Sequence, residues 1–164
     1  MNKFKSDLKY SQLVRIIDAV DTSIISNDTT LKLSKRVIVN TGESSSYYIK
    51  FQQPITSIIS NKAYGVTSSP FILNGQSVML RDDGNGSIFA VLISSDNQSN
   101  LFRAGTVDYN TGEIVLSNLQ IDSYSTRHFK IYAIPLNKDI MSIKDVILSI
   151  DLDDSQINVI EGRE

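Results

Sequence analysis

The stretch Gly105-Thr106-Val107-Asp108-Tyr109-Asn110-Thr111-Gly112-Glu113-Ile114-Val115-Leu116 carries two strand-like runs on either side of a turn. Asn110, Thr111 and Gly112 fit a three-residue hairpin connection, a type I turn closed by a bulge residue in the left-handed region. Only glycine takes a positive φ there without a Cβ penalty, so the turn depends on Gly112. Pairing Tyr109 with Glu113 sets Val107 against Val115 and Asp108 against Ile114. An element of this kind commits the middle of the chain to an antiparallel sheet.

Composition extends that commitment to most of the 164 residues. Ile occurs 22 times and Val 11, against 13 Leu and 5 Ala. β-Branched side chains are stiff at χ1 and fit a pleated surface, whereas Ala and Leu favour helix. Ser, Thr and Asn together make 44 residues, the material of turns and solvent-facing strand positions. The expected class is mainly β (α+β): one N-terminal amphipathic helix followed by many short antiparallel strands and hairpins.

The helix is read from Asp7 to about Val20, where Leu8, Leu13, Ile16, Ile17 and Val20 recur at three and four. Ser6 or Asp7 is its expected N-cap. A helix this short is marginal alone in water, so its stripe needs a surface, which another copy can supply. Strands are then expected in Thr30–Asn40, with Leu31 and Leu33 on one face, and in Ser46–Gln53, where Tyr48 and Phe51 lie near opposite faces and Pro54 ends the run. Ile55–Ile59 is another short apolar run, and Ser60–Ser69 reads as a polar loop. Asn74-Gly75 joins Phe71–Leu73 to Ser77–Arg81 as a tight hairpin. The turn Asp82–Gly86 leads into Ile88–Ile93, which is apolar throughout and so expected to be covered on both faces. Ser94–Asn100 reads as a loop, and His128–Pro135 alternates cleanly. Asp145–Asp151 and Gln156–Ile160 are the last expected strands, joined by an acidic turn at 151–154. The expected division is a helical segment at 1–28 and a β-rich domain at 29–164.

Little in the chain points to chemistry. The absence of Cys excludes disulfides, a thiol nucleophile and Cys-ligated zinc. A formal net charge of −2 offers no footprint for nucleic acid or an anionic membrane, and no apolar run reaches the ~18 residues of a membrane span. The N-terminal ten residues lack the apolar core of a secretory signal. His128 has neither a nucleophile-elbow context nor a partner acid at a recognisable spacing. Asp82-Asp83-Gly84-Asn85-Gly86 resembles half a calcium loop, but no Glu follows at the required spacing, and a hairpin turn uses the same residue types. Asp151, Asp153 and Asp154 read as surface turn residues, with a weak cation site as the alternative. Tyr47-Tyr48 are strand aromatics, with stacking on a sugar or base as the alternative. The chain is therefore expected to have no enzymatic activity, no catalytic or metal-binding residues, no cofactor and no small-molecule substrate.

One longer run of residues carries a resemblance. Lys9-Tyr10-Ser11-Gln12-Leu13-Val14-Arg15-Ile16-Ile17-Asp18, continuing as Asp21-Thr22-Ser23-Ile24-Ile25-Ser26-Asn27-Asp28-Thr29-Thr30, resembles a segment of the large baseplate wedge subunit of contractile-tailed (myovirus) phages, of the baseplate J-like family. The Asp82–Gly86 turn, the Val107–Leu116 hairpin and Asp139-Ile140 with Asp145–Asp151 are similar to its C-terminal region, in the same order, from residue 9 to about 160. The resemblance implies that the chain matches the C-terminal part of a subunit several times longer. It also implies a structural role in the virion, within a tail baseplate assembled in the host cytoplasm. The implied partners are other wedge subunits and a second copy, most simply a homodimer, with no nucleic acid and no membrane. The rival expectation is a carbohydrate- or receptor-binding β-sandwich module of a tail fibre, with Tyr47, Tyr64 or Tyr124 as the glycan-facing aromatics.

Overall fold

Valine, isoleucine and phenylalanine at alternate positions give most strands of the main sheet one buried face, and a curved sheet gathers those faces around a single core. The structure, a computed structural model, describes residues 8–60, 63–93, 100–140 and 150–158. Helix α1 is Tyr10–Asp18. The strands are β1 (Leu33–Val37), β2 (Ser44–Lys50), β3 (Ile58–Ser60), β4 (Ala63–Tyr64), β5 (Val66–Ser68), β6 (Phe71–Leu73), β7 (Gln76–Asp82), β8 (Ser87–Leu92), β9 (Asn100–Asp108), β10 (Glu113–Gln120) and β11 (Phe129–Ala133). The class is mainly β, as the composition requires.

Two compact units divide the chain: Met1–Asn27 with Asp139–Glu164, and Asp28–Lys138. The expected division put everything after residue 28 into the β domain, and this needs correction for residues 139 onward. Leu8 and Ile140 exchange backbone hydrogen bonds of 2.8 and 2.9 Å, and the Asp139 carboxylate accepts from Tyr10 N–H at 2.9 Å. That long-range acceptor serves the helix start. Lys9 occupies the N-cap without a side-chain bond, whereas the expected caps Ser6 and Asp7 lie outside the described residues. The helix is also shorter than its periodicity suggests, and Ile16 and Val20 are 63% and 76% exposed.

In the larger unit nine strands form one nearly closed, barrel-like antiparallel sheet, in the order β1-β11-β5-β7-β8-β9-β10-β2, with β6 paired to β7 off this path. A separate pair, β3-β4, completes the set. Phe71, Val78, Leu80, Ile88, Ile114, Leu116, Leu119, Phe129 and Ile131 are fully buried, and the rings of Phe71 and Phe129 meet edge to face at 5.8 Å. Each such side chain adds about 1.5–3 kcal/mol of burial to the core.

The hairpins fall where turn chemistry puts them. Asn74 and Gly75, both at positive φ (51° and 76°), link β6 to β7 as a two-residue turn of the kind that matches strand twist. Asp83 closes the β7–β8 turn, its carboxylate accepting from Asn85 N–H at 2.8 Å and Ser87 N–H at 3.0 Å. Gly112 has φ +69° in the β9–β10 loop. The register of that hairpin differs from the expectation by one residue: Glu113 pairs with Asp108 and Ile114 with Val107. The loop therefore has four residues, Tyr109 to Gly112, and Gly112 N–H donates to Asp108 O at 2.9 Å. Tyr109 leaves the ladder because Ile55 N–H takes its carbonyl at 2.9 Å.

Other expectations are revised. Ser60–Ser69 contains β4 and β5 rather than a loop. Its serines stand in for ladder partners: Ser68 Oγ accepts from Leu80 N–H at 2.9 Å and Ser69 Oγ from Lys130 N–H at 3.0 Å. Strand β8 is not covered on both faces, since Phe89 and Leu92 are only half-buried. Phe51 is buried beyond the end of β2, while Tyr48 within it is 57% exposed. Asn100, read as the end of a loop, begins β9; residues 94–99 lie outside the described residues. The acidic turn is a short 3-10 helix, Leu152–Asp154. Residues 156–158 belong to no strand, and most of the expected Asp145–Asp151 strand lies outside the described residues.

Candidate interaction seam

Because β1 and β2 are the two ends of the strand path, each keeps one edge without a strand neighbour. All seven pairings between them are antiparallel, so β1 and β2 run in opposite directions. A surface cleft of about 420 Å³ lies along this seam, lined by Lys35, Arg36, Val37, Ile38, Ser46 and Tyr47 to Lys50.

Register decides which side chains face which way. Leu33, Lys35 and Val37 sit opposite Ala133, Ile131 and Phe129, all buried, so these three β1 residues share the core side of the sheet. Leu33 and Val37 are half-buried, whereas Lys35 is exposed in the cleft. On β2, Tyr47 and Ile49 pair with the buried Leu116 and Ile114, which places them on the same side. Ile49 is buried and Tyr47 packs partly against the core, yet its buried hydroxyl has no hydrogen-bond partner. A buried hydroxyl without a partner costs about 1–3 kcal/mol.

The outer lip is polar and aromatic. The Tyr48 ring lies 4.9 Å from Lys50 Nζ, and Lys50 bridges to Glu113 at 2.6 Å. Hydrogen bonding to Glu113 holds the Lys50 ammonium well above its ordinary pKa, and Lys50 in turn draws the Glu113 carboxyl down. Ile38, just past β1, is 93% exposed.

Tyr47 and Tyr48 apart, the residues singled out from the sequence lie outside this cleft. Asn110, Thr111 and Gly112 form the β9–β10 loop, which the 51–55 segment covers: Phe51 N–H donates to Gly112 O at 2.9 Å. Tyr64 and Tyr124 engage protein neighbours. Arg81 lies over the Tyr64 ring at 4.9 Å and donates to its hydroxyl at 2.6 Å, and Tyr124 leans on Phe129 at 6.1 Å. Thr126 Oγ1 donates to the backbone carbonyl of the half-buried His128 at 2.9 Å. No cluster of three or more His, Asp or Glu suited to a metal ion occurs among the described residues.

Sequence reasoning missed one buried polar pair. The Asp82 carboxylate, at the end of β7, accepts from Val66 N–H at 3.0 Å and from the Tyr109 hydroxyl at 2.7 Å. Burial pushes the Asp82 carboxyl up, and its hydrogen bonds partly offset that. Burial first, and the hydrogen bond to Asp82 second, push the Tyr109 phenol up as well. The pair ties the β9–β10 loop to β7. Its only sequence signals are an acid and a tyrosine at the ends of two apolar runs. Compared with known protein families, with curated proteins and with solved structures, the chain matches none.

Proposed function

We propose that this chain is a structural component of a phage tail baseplate, joining wedge subunits into a ring through protein–protein contacts. Two things support the reading. One is the sequence resemblance to the large wedge subunit between residue 9 and about residue 160. The other, and the observation that carries it, is the open seam between β1 and β2. Unpaired strand edges present rows of N–H and C=O groups that bind another extended chain readily, and strand addition is a recurring mode of protein recognition. The exposed Ile16 of α1 and Val20 just beyond it give the smaller unit a second apolar surface suited to a neighbour. In this reading the partners are other wedge subunits and a second copy, the place is the virion tail baseplate assembled in the host cytoplasm, and no reaction or cofactor is involved.

The test is light scattering across a concentration series, followed by co-purification with the products of flanking baseplate genes. Mass rising toward a dimer together with capture of a second wedge subunit is the expected result. A strictly monomeric particle that captures none of those proteins and binds a defined glycan would overturn the reading in favour of a recognition module. The engaged rings of Tyr64 and Tyr124 count against that rival.

A further inference from the structure

We infer that the free edge of β1 is a docking site for an acidic, strand-forming segment of a neighbouring subunit, which adds antiparallel to β1 and sets carboxylates against Lys32, Lys35 and Arg36. The inference rests on the assembly reading above and gives the partner at its seam a chemistry.

Charge on this edge is one-sided. Residues 29–42 hold three cations, Lys32, Lys35 and Arg36, and no acid. All three are exposed, and none makes an ion pair among the described residues. Lys50, the cation on the facing strand, is already bound to Glu113. Among the described residues β11 alone pairs with β1, and the cleft leaves the other edge of β1 accessible. Cations along a strand edge deter pairing with a strand of like charge. The β1 of a second copy would bring three more cations against these three, so self-pairing is disfavoured. The same charges attract an acidic strand, so one feature both excludes and selects.

Alternation along β1 specifies the sequence such a strand must have. Leu33, Lys35 and Val37 face inward, opposite Ala133, Ile131 and Phe129. Ser34 and Arg36 face the other way, and Lys32 and Ile38 continue that outward series at the two ends. Across an antiparallel pair, directly opposed residues share a face, and opposite charges there attract. Read from its N-terminus, the partner strand therefore sets an apolar residue against Ile38 and another against Val37. Acids follow at the positions opposed to Arg36 and Lys35, then a polar residue, an apolar one against Leu33 and an acid against Lys32. Ile38, 93% exposed at the rim of the cleft, supplies apolar contact area at one end. Antiparallel addition continues the pattern of the main sheet and is the more stable pairing per residue.

The probe is the heptapeptide Val-Val-Glu-Glu-Thr-Val-Glu, blocked at both ends and fluorescently labelled, and the receptor is the full-length chain. Fluorescence anisotropy is expected to show saturable binding that weakens as salt rises. Amide hydrogen exchange is expected to slow at residues 33–37 in the complex and to stay unchanged in the β6–β7 hairpin. The Lys35→Glu/Arg36→Glu chain changes two exposed positions, so its thermal unfolding should match the parent's. It is expected to bind the heptapeptide about tenfold more weakly or worse, because two attractive cross-strand pairs become repulsive. A peptide with lysines in place of the two adjacent glutamates should bind that variant and not the parent, a reversal that misfolding cannot produce. A scrambled heptapeptide or a single-stranded oligothymidylate that binds the parent as tightly overturns the inference, since charge then acts without strand pairing. Absence of binding at millimolar peptide overturns it too. Both of these results leave the assembly reading standing. A particle that is monomeric at every concentration and captures no wedge subunit overturns that reading, and the partner assigned here with it.

Discussion

Replacing Gly112 by alanine adds one methyl group at the point where the β9–β10 loop meets the chain leaving β2. Two penalties combine. At φ +69° an L side chain sits in the left-handed region, which costs roughly 1–2 kcal/mol. The added Cβ also falls 2.4 Å from Gln53 O and 3.2 Å from Phe51 Cβ. The closer of these is backbone, so no rotamer relieves it. Either the loop or the 51–53 segment must move, endangering the 2.9 Å bond from Phe51 N–H to Gly112 O and the burial of Phe51. Losing that bond costs about 1 kcal/mol, and overpacking of this kind adds about 1–3 kcal/mol. The expected total is about 3–6 kcal/mol, a large share of a domain's usual margin.

Gly75→Ala supplies the control. Gly75 has nearly the same φ, +76°, with nothing within 4 Å of the added Cβ. It carries the conformational penalty alone, about 1–2 kcal/mol. Urea unfolding followed by far-ultraviolet circular dichroism measures both variants, with Asn110→Asp as an exposed-loop reference expected within about 0.5 kcal/mol of the parent. The Tm of Gly112→Ala should fall by more than ~10 °C. If the two glycine variants lose the same stability, the packing of 51–53 on the loop is wrong and only the turn conformation survives.

Tyr109→Phe removes a donor that favours the charged form of Asp82, so the folded-state pKa of Asp82, already above its ordinary 3.8, rises further. An acid with a raised folded pKa loses stability as pH climbs from the ordinary value through the folded one, so the variant's loss should be about 1.5–3 kcal/mol at pH 7 and clearly smaller at pH 4; equal losses at both would refute the charged pair. Gly105→Ala places a Cβ 2.1 Å from Val115 O within the β9–β10 ladder and should cost about 2–4 kcal/mol in the same urea assay. Asp139→Ala removes the acceptor at Tyr10 N–H and should lower the helical signal by destabilising α1 about 1 kcal/mol, without shifting the unfolding of the β unit.

How much of this was legible in the sequence follows the range of the interaction concerned. The Asn74-Gly75 and Asp82–Gly86 hairpins are local, and their turn residues declare them because only certain side chains accept those backbone angles. The β9–β10 hairpin was legible in existence but not in register. Its loop length is decided by Ile55 taking the Tyr109 carbonyl and by Asp82 taking the Tyr109 hydroxyl, partners distant in sequence. The strands within Ser60–Ser69 were hidden for a similar reason. A serine-rich run reads as a loop until Leu80 and Lys130 are in place to bond its hydroxyls. The helix cap was illegible too, because Asp139 lies 129 residues from Tyr10.

The seam was beyond any local reading, yet its meaning depends on sequence once the strand path is known. Whether β1 meets β2 is decided by the curvature accumulated along eight strands, a property no window of residues encodes. With the path in place, the alternation of β1 acquires a sense that its composition lacked. Lys35 interrupts the inward series Leu33, Lys35, Val37 at its centre, where a closed barrel would require an apolar residue. A lysine there is compatible only with an edge that stays open to water or is filled by a chain carrying the opposite charge. Lys35, exposed in the cleft between the two edge strands, thus records in the sequence that the strand path stops short of closure.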